Sequence, residues 1–430
     1  GSDALRKVLI ISYYWPPSGG PGVQRILKFA KYLPKYGWEP IILTVKNGEY
    51  PSTDLSLKAE LDTLNIKVYE SFALEPFRIF KWISNTKELP TYQLNKQSKE
   101  GLIVRVSNWV RLNLFLPDAR IGWIPFARKM AEKIIKTHGV EVVFTSGPPH
   151  SSHFIASKLK KKMNIKWLGD FRDPWTEFFN YHDSSRTQIA RNLDKKLEGK
   201  ILNKVDHLVT VSPSISRLFS QHIGNSKNVT TIMNGFDEDD FSDVQNSKQN
   251  GKDIIISYVG NMAKSQDPIE FLELIQNLNT ENNFNIRVNF VGNIHSDILG
   301  KIESLGYAKF INRISYVSHS EAIKYMCEAD YVLLLIPNVP NNKGIVTGKI
   351  FEYIRSGSTI LMLGPKDSDA GNIIKQSESG FVFNYGNIDG LKSIFNERKT
   401  RNVKNNSQFS REWASKKLAN VFNEMINHVP

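Results

Sequence analysis

The sequence has little of what would mark several classes of protein. Its 430 residues include one cysteine, Cys327, which excludes an internal disulfide framework and any thiolate metal cluster and leaves that side chain to pack in an apolar helix. Long hydrophobic runs are missing too: the longest, Tyr331 to Ile336, is far short of the roughly 20 residues that span a bilayer. No charged, apolar and small-residue signal opens the chain, so a cytoplasmic protein is expected. Gly1 and Ser2 read as an expression remnant, before which a short leader could have been lost, and they are set aside. Acidic residues run short in the first half alone. Residues 1–210 hold 33 Lys and Arg against 20 Asp and Glu, whereas residues 211–430 hold 23 of each, so the whole net charge of +13 lies in the first half. That asymmetry suits a partner with phosphates, or a solvated basic surface. Nucleic acid is not the expected partner, because the basic residues are dispersed and no recognised binding module accompanies them.

What is present is one grammar used twice. Apolar strands are predicted at Lys7 to Tyr14, Glu39 to Val45, Ile66 to Glu70, Val140 to Thr145, Ile165 to Phe171, His207 to Val211 and Val229 to Met233, with helical segments between most of them. In the first helix Val23, Ile26, Leu27, Ala30 and Leu33 share one face of a 3.6-residue period, with Pro21 in its first turn and Gly37 at its end. The pattern restarts after the polar linker "DEDDFSDVQNSKQNGKD", with strands at Ile254 to Val259, Ile286 to Val291, Ile314 to Val317, Tyr331 to Ile336, Thr359 to Leu363 and Phe381 to Phe383. Strands alternating with helices predict an α/β protein of two Rossmann-like, doubly wound parallel sheets. The expected domains are residues 3–240 and 252–408, with a C-terminal helix, 409–430, returning to the first.

In such sheets ligands sit beyond the carboxyl ends of the strands. "SYYWPPSGGPGVQR" is such a loop: Gly19, Gly20 and Gly22 around Pro21 offer bare amides at a helix N-terminus, suited to a phosphate or merely to a tight turn. "NKGIVTGKIFEYIRSG" is another. Thr347, Gly348 and Lys349 open a helix in which Glu352 follows one turn later, so amides and an ammonium favour a diphosphate and the carboxylate could accept two ribose hydroxyls; solvated surface charges would read the same. Residues 72–125 interleave Phe77, Phe80, Trp82, Trp109, Phe115 and Trp123 with Arg78, Lys81, Arg105 and Arg111, which suits a helix at a membrane interface or an insertion packed on its own domain. "DEDD" at 237–240 invites a metal reading, but carboxylates at the start of a linker are readily solvated, and no metal or other cofactor is expected.

Six motifs in order, "YYWPPSGGPGVQR", "FTSGPPHSSHFIA", "GDFRDPW", "NGFD", "YVGNMAKSQD" and "GKIFEYIRSG", followed by a C-terminal helix, resemble a retaining glycosyltransferase of the GT-B fold, of family 4. The resemblance implies a sugar transferase of cell-surface polysaccharide or glycolipid synthesis, with a nucleoside-diphosphate sugar as donor and a glycan or lipid-diphosphate-linked acceptor. It implies that the donor meets Gly19, Gly20, Asn261, Lys264, Gln266, Val317, Thr347, Gly348, Lys349 and Glu352. Gly344 stands where the family carries the first glutamate of a pair ending at Glu352, Asn261 and Gln266 stand for a basic pair, and Lys264 is placed to compensate. On the acceptor side it implies catalytic roles for Asp173, with Arg172 at the family's histidine position and His150 as the nearest histidine; His153 is expected on a helix surface. Tyr14 and Trp15, with Tyr13, are expected to form the acceptor wall. The basic first half would then suit peripheral association with the anionic inner face of the cytoplasmic membrane. A nucleotide-sugar-binding protein without activity and a sugar-nucleotide epimerase of the same plan are the competing readings.

Overall fold

The structure is a computed structural model, and it describes residues 4–76, 78, 96–176, 186–223, 228–244, 252–281 and 284–427. Phe77, Phe80, Lys81 and Trp82 of the expected interfacial segment lie outside the described residues, as does part of the linker. The chain divides into two units. The first comprises residues 1–211, 215–232 and 415–430, and the second 212–214 and 233–414.

The first unit carries strands β1 (Arg6–Ile11), β2 (Trp38–Val45), β3 (Lys67–Ser71), β4 (Val142–Gly147), β5 (Lys166–Phe171), β6 (His207–Thr210) and β7 (Asn228–Thr231). They form one parallel sheet in the order β3-β2-β1-β4-β5-β6-β7. Helices α1 (Pro21–Tyr32), α2 (Leu55–Thr63), α3 (Lys96–Asn113), α4 (Ile124–His138), α5 (Ser151–Lys160), α6 (Gln188–Lys204) and α7 (Pro213–Ile223) connect them. The periodicity of α1 is realised: Val23, Ile26, Leu27, Ala30 and Leu33 are all buried. Burial of each larger side chain among them contributes about 1.5–3 kcal/mol. The helix gives way at Leu33 to a 3₁₀ turn, Leu33–Tyr36, which Gly37 closes at φ 91°.

The second unit holds β8 (Ile254–Val259), β9 (Ile286–Val291), β10 (Ile311–Ile314), β11 (Tyr331–Leu335), β12 (Thr359–Leu363) and β13 (Gly380–Phe383), parallel in the order β10-β9-β8-β11-β12-β13. Its helices are α8 (Ile269–Glu281), α9 (Ser296–Ser304), α10 (His319–Glu328), α11 (Lys349–Ser356), α12 (Asp369–Ser377) and α13 (Gly390–Asn396). The apolar run at 331–336 has a direct cause. Tyr331, Leu333 and Leu335 enter the core on one face of the sheet, and Val332, Leu334 and Ile336 enter the core on the other. A parallel strand covered on both faces has no side that can be polar.

Two expectations are corrected. The strand predicted at Ile314 to Val317 is β10, three residues earlier, because Ile311 to Ile314 pair with Val288 to Val291 at the edge of the sheet. Val317 therefore falls in the loop beyond the strand. The change of unit comes at Met233, ahead of the predicted linker: Phe236 and Phe241 are buried in the second unit's core, and Phe236 exchanges backbone hydrogen bonds with Phe409 and Arg411. The last helix, α14 (Arg411–Asn427), joins the first unit from Ser415, where Phe422 meets the edge of Trp38 at 5.1 Å and Asn423 Oδ1 accepts from the Trp38 indole at 3.0 Å.

Candidate functional site

In each unit the strand order reverses between its first and fourth strands, β1 beside β4 and β8 beside β11, and the loops beyond those strands, with those beyond β5 and β10, carry the candidate residues.

In the first unit the loop after β1 is built inward. Tyr13 is fully buried; its hydroxyl donates to Glu75 at 2.5 Å and accepts from the Glu49 amide at 3.0 Å. Arg120 lies over its ring at 4.6 Å and donates to Glu75 and Glu49. Burial, with the Glu75 bond, pushes the phenol well above its ordinary value, so Tyr13 is a neutral core residue and not part of a wall. Trp15 is corrected in the same way. It is 2% exposed, and its indole N–H has no partner among the described residues. Tyr14 is half-buried, edge-on to Tyr13 at 4.9 Å.

The glycines also divide. The Gly19 amide donates to Ser52 O at 3.1 Å, so it is already engaged and not offered to a phosphate. Gly20 caps α1 at φ 111°, a conformation that favours glycine, with no side-chain cap. Gly22 has a third reason: a Cβ there would stand 1.5 Å from Nη1 of Arg172. The absent side chain at 22 makes room for a guanidinium. Arg172 also donates to the Pro148 carbonyl, and its backbone amide to Gly147 at 3.0 Å. Beside it, burial raises the Asp173 carboxyl above its ordinary range, with Arg172 opposing.

His150 stacks on Trp175 at 4.4 Å with the rings nearly parallel, and its Nδ1 has no partner among the described residues. His153 is not on a surface: it is fully buried, stacked on Phe171 at 4.2 Å and hydrogen-bonded through Nδ1 to Thr145 Oγ1 at 2.8 Å. Burial lowers both histidines, His153 to about 3, so both rings are neutral at pH 7. One residue carried no predicted role despite lying in a quoted motif. Arg25 is fully buried, and its guanidinium forms a two-point pair with Asp170, at 3.1 and 2.8 Å, while donating to Ile232 O at 2.8 Å. This fixes α1 to the end of β5 just before Arg172.

In the second unit, α11 opens at Gly348 with no side-chain cap, and the buried hydroxyl of Thr347 has no partner among the described residues. Glu352 is 7% exposed and accepts from His319 Nε2 at 2.9 Å; Lys349 Nζ stands 3.6 Å from its other oxygen. Burial pushes the Glu352 carboxyl up, but Lys349, His319 and Arg411 outweigh it and hold it at about 2. It is ionised at any physiological pH. His319 was not legible in the sequence, because its partner lies 33 residues later.

A model of Glycosyltransferase Family 4 matches residues 22–240, half of the chain. The chain belongs to glycosyltransferase family 4. No curated protein sequence matches it. Among solved structures it is similar to a glycosyltransferase from Rickettsia africae, 18% identical with a TM-score of 0.62 over 99% of this chain and 100% of that one. HepE of Anabaena, in complex with UDP and glucose, is 13% identical with a TM-score of 0.60 over 97% and 100%. A putative UDP-N-acetylglucosamine 2-epimerase from Listeria monocytogenes is 10% identical with a TM-score of 0.56 over 99% and 98%. These likenesses show the GT-B fold.

This family 4 chain handles its departures from the family pattern unevenly. A Cβ at Gly344 would come within 3.2 Å of Ser214 Cβ, so a glutamate could not be placed there without displacement. Gln266 is 9% exposed and has both amide ends taken, by Ala263 N at 2.9 Å and Leu335 O at 2.8 Å; it ties its loop to β11 and does not reach for a ligand. Asn261 is exposed, and its Oδ1 accepts from Asn293 N at 3.2 Å. Lys264 is paired with Asp297 at 3.1 Å on the surface, so its ammonium is already matched. Val317 is half-buried, next to the residues that open α10. The "DEDD" carboxylates form a 3₁₀ turn, Glu238–Phe241, in which Asp237 caps Asp239 N and Glu238 pairs with Arg355.

Proposed function

We propose that this family 4 enzyme moves a sugar, with retention of configuration, from a nucleoside-diphosphate sugar to a carbohydrate or lipid-diphosphate-linked acceptor of a cell-surface polysaccharide or glycolipid. The observation that carries the donor reading is the start of α11. An uncapped helix N-terminus, an unpartnered buried hydroxyl at Thr347, an ammonium at Lys349 and an ionised carboxylate at Glu352 lie within six residues. Amides, hydroxyl and ammonium suit a diphosphate, and a carboxylate suits the vicinal hydroxyls of a ribose. The UDP and glucose held by the Anabaena protein support the same donor class.

As the bond to the diphosphate lengthens, negative charge grows on the leaving oxygen, where Lys349 and the α11 amides would stabilise it without a metal ion. The acceptor hydroxyl attacks from the leaving-group face and its proton passes to the departing phosphate. On the first unit Asp173 would hold an acceptor hydroxyl by accepting its hydrogen bond, with the Arg172 charge beside it and neutral His150 offering Nδ1.

The test is a thermal-shift and calorimetry panel of UDP, GDP and ADP and their sugars. One nucleotide should bind, and Glu352→Ala or Lys349→Ala should weaken it by about 10- to 100-fold, the loss of a charge-assisted contact. Donor hydrolysis without acceptor should be slow and insensitive to EDTA. Indifference to every nucleotide would sink the proposal. Binding with no turnover would favour a non-catalytic protein, and conversion of one nucleotide sugar to another without acceptor would favour an epimerase.

A further inference from the structure

Of the three cations around Glu352, His319 and Lys349 have different prospects. His319 Nε2 donates to Oε2 at 2.9 Å, whereas Lys349 Nζ is 3.6 Å from Oε1, too far for a hydrogen bond. A buried carboxylate needs a positive partner, and here the imidazolium is the one hydrogen-bonded to Oε2, while Lys349 and Arg411 add their charge. We propose that His319, as the imidazolium, is a positioning residue that holds the Glu352 carboxylate and thereby leaves the Lys349 ammonium available to the diphosphate of a nucleotide ligand. The inference rests on the donor reading above.

The charged groups around His319 are accounted for by element: Glu352 and Lys349 from α11, and Asp240 from the 3₁₀ turn at 238–241. Burial opposes its charge, and Lys349 adds to that, but Glu352 and Asp240 outweigh both and raise it above its ordinary value. When the imidazolium loses its proton, Glu352 keeps a hydrogen bond but loses one counter-charge and is left to Lys349 and Arg411. Lys349, one turn away on the same helix, is then the nearest replacement, and an ammonium drawn onto Glu352 is withdrawn from the phosphates. The consequence is selective. Affinity for a nucleoside diphosphate should fall as pH rises through the His319 titration, while affinity for the bare nucleoside should change little.

The experiment uses the full chain and isothermal titration with UDP, ADP and GDP, and with the nucleoside of whichever binds, between pH 6 and 9. Wild type should lose about tenfold in diphosphate affinity across that range beyond any loss shown by His319→Gln, which keeps a donor near Nε2 but cannot titrate. His319→Gln at pH 6 should match wild type at pH 9. As a check that does not depend on a variant folding, the His319 ring is titrated by NMR in wild type. Saturating diphosphate should move its midpoint upward by about one pH unit, the linkage equivalent of tenfold. Identical pH profiles in wild type and His319→Gln, or an unmoved NMR midpoint, would overturn the proposal. If these fail while Glu352→Ala still weakens binding at least tenfold, the donor reading stands and only the role of His319 falls. If Glu352→Ala binds like wild type, or no diphosphate binds, both fall.

Discussion

Arg25 and Asp170 are both fully buried, and neither has water to fall back on. Removing one partner of such a pair strands the other charge in a low-dielectric setting, at a cost of about 3–5 kcal/mol, whereas replacing both with apolar groups of similar size costs far less. Asp170→Asn should therefore lower stability by about 3–5 kcal/mol in urea unfolding, and Arg25→Met with Asp170→Leu should be the more stable of the two proteins. Equal midpoints for Asp170→Asn and wild type would show that the pair holds nothing in place. Residues of this kind mark the limit of sequence reading. Asp170 and Arg25 both lie in motifs the eye can pick out, but a pairing across 145 positions has no local trace. The same holds for His153, whose polar name suggests a surface, and for Trp15, whose neighbours Pro16 and Pro17 suggest an exposed loop.

At the scale of elements, periodicity served best where both faces of a strand or one face of a helix are buried. The run at 331–336 and the stripe on α1 were plain, because burial leaves no freedom of composition. The edge strand β10 was misplaced because it carries Asn312 and Arg313 between its two isoleucines, and half-exposed strands tolerate polar residues. The helix α3 inverts the usual pattern. Leu102, Val106 and Trp109 recur at helical spacing yet are 62%, 55% and 47% exposed, with Arg105 and Arg111 between and beyond them. Such a stripe fits a helix lying at an anionic bilayer surface. We propose that this stripe would let the enzyme rest on an anionic membrane surface. Cosedimentation with vesicles containing phosphatidylglycerol should exceed that with pure phosphatidylcholine, should weaken as salt is raised, and should drop severalfold in Leu102→Ser with Trp109→Ser. No preference for the anionic vesicles would end the idea. Among the described residues no helix is long and apolar enough to cross a membrane.

For the molecule as a whole, buried ionisable groups set the response to acid. His153 is held neutral down to about 3, so between 6.5 and 3 the unfolded chain takes up a proton that the folded chain refuses. Stability must then fall with falling pH across that window, by about 1.4 kcal/mol per pH unit for this one group. Glu352 acts in a lower window: its stabilisation is complete above its ordinary value of 4.5 and is lost as pH falls towards 2. His319 has the opposite sign, contributing fully below 6.5 and fading as pH rises through its elevated value. His153→Phe, which keeps the stack on Phe171, should lose less stability than wild type between pH 6.5 and 4.5, by about 2–3 kcal/mol in urea midpoints converted at constant slope. Parallel curves would place the acid sensitivity elsewhere. The first unit, moreover, is assembled from both ends of the described chain. Trp38 leaves the ribosome first, and Phe422 and Asn423, which cover its ring and satisfy its N–H, emerge after some 380 further residues. At about 5–20 residues per second this is a wait on the order of 20–80 s. Over that interval the nascent first unit presents an uncovered tryptophan, an opening for a chaperone that closes only when α14 arrives.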